Sequence, residues 1–129
     1  MSWEIEEEEV RRLLALPAAE RAVVFFQLVA DWEEAWGLKD PAGWVVARET
    51  DALPLWPHAA LAEACARGQW QGALPASLSL GDLEEDLLAI LEEDGLGVAV
   101  FPTPDDPGIL LSVRQFRDRL ERELEIGEW

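Results

Sequence analysis

Five of the seven tryptophans fall between Trp32 and Trp70, and the same stretch holds the only histidine, His58, the only cysteine, Cys65, and the only lysine, Lys39. An indole ring is large, gains heavily from burial and needs a partner for its N–H once buried. Rings at this density either organise a core or form a recognition surface, so the fold must gather the middle third of the chain. With 129 residues there is room for one domain with a real core, held without disulfides or metal.

Hydrophobic spacing predicts an α+β fold: a small antiparallel sheet, made of a meander and a C-terminal hairpin, packed against several helices in a single domain. Trp3 to Leu16 reads as a helix with Ser2 as N-cap and Glu7–Arg11 and Glu8–Arg12 as i,i+4 pairs. Its apolar stripe of Ile5, Leu13 and Leu16 is thin, so residues 1–16 form a peripheral helix and 17–125 the main body. Pro17 opens a second helix whose face carries Ala22, Phe25, Phe26, Val29, Trp32 and Trp36, and this helix should be the most buried. Beyond Gly37, the segments Leu38–Asp40, Trp44–Arg48 and Leu53–Trp56 read as strands of a meander with turns at Pro41-Ala42-Gly43 and Thr50-Asp51-Ala52.

Pro57 permits a helix from His58 to Arg67, closed by Gly68, with Trp70 to Leu80 extended after it. Asp82 and Glu85 have capping-box spacing ahead of a face of Leu83, Leu87, Ile90 and Leu91. Val98–Phe101 and Ile109–Leu111 form a hairpin around the loop Pro102-Thr103-Pro104-Asp105-Asp106-Pro107-Gly108. Ser112 and Gln115 give a second capping box, followed by a stripe of Val113, Phe116, Leu120 and Leu124.

Charge limits the partners. Twenty-seven carboxylates face ten basic side chains, a formal net charge of −17. Such a surface repels nucleic-acid phosphates and anionic lipid heads and attracts cations or a basic protein. No apolar run, Ala22 to Phe26 included, is long enough to span a bilayer, and the acidic N-terminus is unlike a signal peptide. With Cys65 alone, no intramolecular disulfide is possible, and a reducing cytoplasm is the expected compartment. Asparagine is absent and arginine outnumbers lysine nine to one, a bias that suits a heat-adapted organism.

The run Asp31-Trp32-Glu33-Glu34, Trp36, Leu38-Lys39-Asp40, Gly43-Trp44, Leu53-Pro54-Leu55-Trp56-Pro57-His58, Ala62, Cys65, Gly68-Gln69-Trp70, closed by Val100-Phe101-Pro102-Thr103-Pro104, resembles a small bacterial family. That family is domain of unknown function 2750, and the resemblance spans roughly residues 20–125. It implies a compact bacterial α+β domain and no reaction, so no catalytic residue is carried over.

Read as chemistry, His58 is the natural acid–base candidate, but at a helix start it serves equally as a cap or as packing for Trp56. Cys65 sits two helical turns away, about 10 Å of rise, too far to pair with it, and its neighbours Leu61 and Ala62 mark it as a small buried hydrophobe. The clusters Glu84-Glu85-Asp86, Glu92-Glu93-Asp94 and Asp105-Asp106 lack metal-binding spacing, and Gly95-Leu96-Gly97 runs from helix to strand, the wrong order for a dinucleotide fingerprint. No catalytic residue, metal ligand or cofactor site is therefore assigned.

Trp44, Val46 and Arg48 share one side of a strand, and Trp44 and Trp56 on neighbouring strands would form an aromatic ledge flanked by His58 and Asp40. The expected function is a non-enzymatic, acidic interaction module of regulatory or toxin-neutralising type. It would bind a protein partner, a basic one on charge grounds, through Trp44, Trp56, His58, Asp40 and Arg48. The alternative is a small enzyme or small-molecule binder with a pocket around His58, Asp40 and Trp44.

Overall fold

Residues 4–126 are described by a computed structural model. Helix α1 (Glu7–Leu14) buries only Leu13, as its thin stripe requires. The expected cap Ser2 lies outside the described residues; Glu6 is the N-cap and makes no side-chain cap bond. The ion pair on this helix is Glu9–Arg12, with Nε to Oε2 at 2.9 Å, rather than the two i,i+4 pairs expected. Helix α2 (Ala18–Trp32) has Pro17 as its N-cap and buries Ala22, Phe25, Phe26 and Val29.

The helix stops earlier than the tryptophan spacing implies. Glu33 adopts a left-handed conformation (φ 54°), and the chain turns at once into strand β1 (Glu34–Asp40). Trp36 therefore stands on a strand and not on the helix face, while Trp32 remains 45% exposed. The competing interaction is pairing: β1 matches strand β4 (Leu74–Ser79) antiparallel from Glu34↔Ser79 to Lys39↔Leu74. Strand β2 (Gly43–Trp44) extends this sheet on its other side, giving the order β2-β1-β4. Pro75 is accommodated because β4 is an edge strand in that order.

The expected meander is split. Strand β3 (Ala52–Leu55) joins a second sheet, parallel to β5 (Gly97–Val100), which pairs antiparallel with β6 (Ile109–Leu111). The hairpin forms as expected; the parallel pair was not anticipated. All four residues of β3 are buried, and so are Val98, Ala99 and Val100. A strand with no polar face is the pattern of parallel pairing covered on both sides. The two sheets are stitched by the residue that follows β3. Trp36 and Trp56 exchange backbone hydrogen bonds of 2.8 and 2.7 Å.

Helix α3 (Ala59–Ala64) is shorter than expected and is followed by a 3₁₀ turn, Gly68–Trp70. The next helix begins two residues before Asp82. Ser79 is its N-cap, accepting from the Asp82 amide at 3.1 Å. The helix then runs through α4 (Leu80–Asp82), a π turn (Leu83–Leu87) and α5 (Leu88–Glu93). In the π turn the Leu88 amide bonds the Leu83 carbonyl, five residues back. That wider turn rotates the following face, so Leu88 is buried and Ile90 is 52% exposed, the reverse of regular helical spacing. Helix α6 (Val113–Ile126) opens with the expected reciprocal capping box: the Ser112 amide donates to Gln115 Oε1 at 2.9 Å and the Gln115 amide to Ser112 Oγ at 3.1 Å. Its buried face of Val113, Phe116 and Leu120 meets α2 through Phe25, Phe26 and Phe116, whose rings lie 5.1–5.9 Å apart.

Candidate binding site

The five residues singled out from sequence do not assemble into a face. Trp56 is fully buried (0% exposed), and its indole N–H donates to the Pro102 carbonyl at 2.9 Å. Trp44 lies on β2, half-buried, with the Lys39 ammonium 4.5 Å from its ring centroid. A Cβ on Gly37 would stand only 2.7 Å from that ring, so Trp44 is packed directly over bare backbone. Trp56 follows β3 and is sealed inside against β1, while Trp44 stands half-buried on β2, so the two rings form no exposed aromatic ledge.

The polar members have local work. His58 is buried, and its Nδ1 accepts from the Ala60 amide at 3.0 Å, capping α3. That bond requires Nδ1 to be bare. Asp40 is exposed and accepts from the Ala42 amide at 2.8 Å, shaping the β1–β2 turn. Arg48 is exposed on the turn between β2 and β3.

A concavity lies elsewhere. Three segments converge beside Ala99 of β5: the 47–52 turn, the stretch from Cys65 to Trp70, and the 102–107 loop. They enclose a cleft of about 460 Å³, within the size range of small-ligand sites. Neither Trp44, Trp56, His58 nor Asp40 lines it, and Arg48 contributes only its neighbours Ala47 and Glu49.

Each wall has a traceable cause. The 47–52 turn is closed by paired backbone bonds between Ala47 and Ala52, at 2.8 and 3.3 Å, and Asp51 takes a left-handed φ of 52° to complete it. Cys65 ends α3 and sends its thiol to the Pro102 carbonyl at 3.4 Å, beside the Trp56 indole. Burial pushes this thiol up from its ordinary 9.0 to about 11, so it is a neutral wall and not a nucleophile. Trp70 stands on Trp56 edge-to-face, with centroids 6.0 Å apart at 86°.

The 102–107 loop is fixed from inside by a side chain that the sequence reading passed over. Arg21 on α2 is 3% exposed. Its Nε donates to the Phe101 carbonyl at 2.9 Å, one Nη to the Leu16 carbonyl and the other to Asp106 Oδ1 at 3.0 Å. Asp106 Oδ1 also accepts from the Gly108 amide at 2.7 Å. Phe101 is held at φ 50°, unusual for a bulky residue, with its amide bonded to the Leu55 carbonyl at 2.9 Å. An arginine early in an apolar helical run is the sequence signal for such a buried strap, because it is the one charged group on an otherwise buried face.

Among the described residues no cluster of three or more His, Cys, Asp or Glu side chains could hold a metal ion, and no helix is long and apolar enough to cross a membrane. No curated protein and no solved structure matches the chain. One family model does, over residues 23–120, described as protein of unknown function (DUF2750). Every strand, the Gly43-Trp44 pair, the buried Leu53-Pro54-Leu55-Trp56-Pro57-His58 run and the cleft loops all lie inside that span. The chain belongs to the DUF2750 family.

Proposed function

We propose that this protein is a non-enzymatic interaction module whose acidic surface captures a basic protein partner in a regulatory or toxin-neutralising role. The observation that supports this reading is the imbalance of ion pairing. Twenty-seven carboxylates are present in the sequence, yet among the described residues only Glu9 and Asp106 are engaged by a basic side chain within 4 Å. An acidic surface with so few internal partners steers a cationic protein and speeds its capture. The candidate catalytic groups are engaged otherwise: His58 caps a helix and Cys65 is held as a neutral thiol. The reading places the protein in the cytoplasm of a heat-adapted bacterium.

The test is retention on the immobilised chain, followed by a salt gradient and isoelectric focusing of what elutes. Basic proteins released by moderate salt are the expected outcome. Neutral or acidic partners whose retention ignores salt overturn the reading.

The cleft favours a second reading, a small-molecule binder. The pocket expected around His58, Asp40 and Trp44 is replaced in this reading by the one lined by Glu49, Cys65, Trp70, Asp105 and Asp106.

A further inference from the structure

We propose that the cleft is a seat for a guanidinium group, and so takes arginine or an arginine-like organic cation. The inference deepens the interaction-module reading and rests on it only for the source of the cation. Its first support is the lining. Trp70 supplies an indole, the aromatic side chain that holds a cation best. Glu49, Asp105 and Asp106 bring three carboxylates, while Arg67 is the one basic side chain in the wall. Among the described residues neither Glu49, Asp105 nor Arg67 forms an ion pair, while Asp106 is already paired with Arg21, so two of the three rim carboxylates remain unpaired.

The second support is geometric. Asp106 spends Oδ1 on both of its internal bonds, to Arg21 and to the Gly108 amide. Its other oxygen makes no hydrogen bond among the described residues. The same loop already accepts one guanidinium on its inner side, with a backbone carbonyl and a carboxylate converging on Arg21. A planar fork of N–H donors suits carboxylates and an aromatic face better than a point-like ammonium does. Behind the rim the wall is apolar or neutral, with Ala47, Ala99, Cys65 and Pro102, which suits the arginine stem.

The loops themselves are rigid enough to hold such a site. Thr103 and Asp106 exchange backbone bonds of 2.9 and 3.2 Å, and the Asp105 amide donates to Thr103 Oγ1 at 3.3 Å. The tip carrying Asp105 is thus set before any ligand arrives, which lowers the ordering cost of binding.

The experiment is a two-dimensional amide NMR titration at low salt. Its probes are N-acetyl-arginine methylamide, the matching citrulline compound and the tripeptide Ala-Arg-Ala. The arginine probe should give saturable shifts confined to Gly68–Trp70, Thr103–Asp106 and the Trp70 indole N–H. The citrulline probe, equal in shape but uncharged, should bind at least about ten-fold more weakly, since it loses the charge-assisted bonds. The double variant Glu49→Gln/Asp105→Asn should lose about ten-fold for arginine, while Glu85→Gln on the π turn stays within about two-fold. Trp70→Phe, which keeps an aromatic ring on Trp56, should weaken binding by several-fold and melt cooperatively.

Tighter binding of the tripeptide than of the single amino acid assigns the seat to a partner segment; equal binding assigns it to a free guanidine. Equal affinity for citrulline, unsaturable shifts spread over the whole surface, or an unaltered double variant each overturn the proposal. If salt-released basic partners persist while the cleft ignores arginine, the module reading stands and the guanidinium seat falls. A cleft that binds arginine on a chain retaining no basic partner gives the opposite result.

Discussion

Arg21 and Asp106 are 85 residues apart in sequence and 3.0 Å apart in space. One end of the contact is almost completely buried and the other is half in water. The arginine also satisfies the carbonyls of Phe101 and Leu16, so one side chain ties α2, the α1–α2 connection and the cleft loop together.

Replacing that arginine should be among the most damaging single changes. Arg21→Met keeps the apolar stem but strips Phe101 O, Leu16 O and Asp106 of their donor. A loss of about 3 kcal/mol is expected, read from the chemical-denaturation midpoint. Asp106→Asn should cost only about 1 kcal/mol, because that carboxylate is partly hydrated and the neutral amide can still accept from Gly108. Equal losses for the two variants would contradict the strap.

The thiol of Cys65 gives a pH dependence. Its folded value, about 11, lies above the ordinary 9.0 because burial disfavours the thiolate. Above the unfolded value the native state holds more protons than the unfolded chain, so raising the pH lowers stability. The contribution is full below 9.0 and is lost as the pH climbs through about 11. Denaturation midpoints across this window should fall more steeply for the parent than for Cys65→Ala. Native protein should also resist iodoacetamide at pH 8 until denaturant is added.

Gly108 closes the cleft loop at a left-handed φ of 80°, and a Cβ there would lie 2.4 Å from the Val100 carbonyl. Both the dihedral and the backbone clash oppose any side chain. Gly108→Ala should cost about 2–3 kcal/mol and shift the amide resonances of Thr103–Asp106. Gly81→Ala offers the contrast: its nearest neighbour would be 4.0 Å away in a helical turn, and stability should hold or rise slightly.

His58→Ala should lower stability by about 0.5–2 kcal/mol through loss of the α3 cap. The arginine titration of the cleft should be unaffected. A variant that melts normally and loses a measured ligand would restore His58 as a binding residue.

Local signals in the sequence were legible wherever a single element decided the outcome. The Ser112–Gln115 box, the buried faces of α2 and α6 and the β5–β6 hairpin all follow from spacing within one segment. The split of the meander was not legible, because β3 finds its partner forty-five residues downstream, where Leu53 pairs with Val98. The fully apolar run Leu53-Pro54-Leu55-Trp56 was the available clue, since a strand with one wet face would alternate. The tryptophan density did mark an organising region, but its members part: Trp56 lies in the core, Trp70 lines the cleft and Trp32 stays 45% exposed. Trp56 serves as the buried post against which Trp70 stands. The cleft itself needs three loops from distant parts of the chain, a coincidence that no periodicity records. Regular helical spacing also could not foresee the π turn that exchanges Leu88 for Ile90 on the buried face.

The backbone clasp between Trp36 and Trp56 has a mechanical meaning. Because the central strand β1 of one sheet is fastened to the end of edge strand β3 of the other through this residue pair, neither half can peel away while its neighbour keeps its shape. Heat or denaturant should therefore find no detachable piece in this small molecule. The loops that frame the cleft would be dismantled in the same concerted step as the layers beneath them.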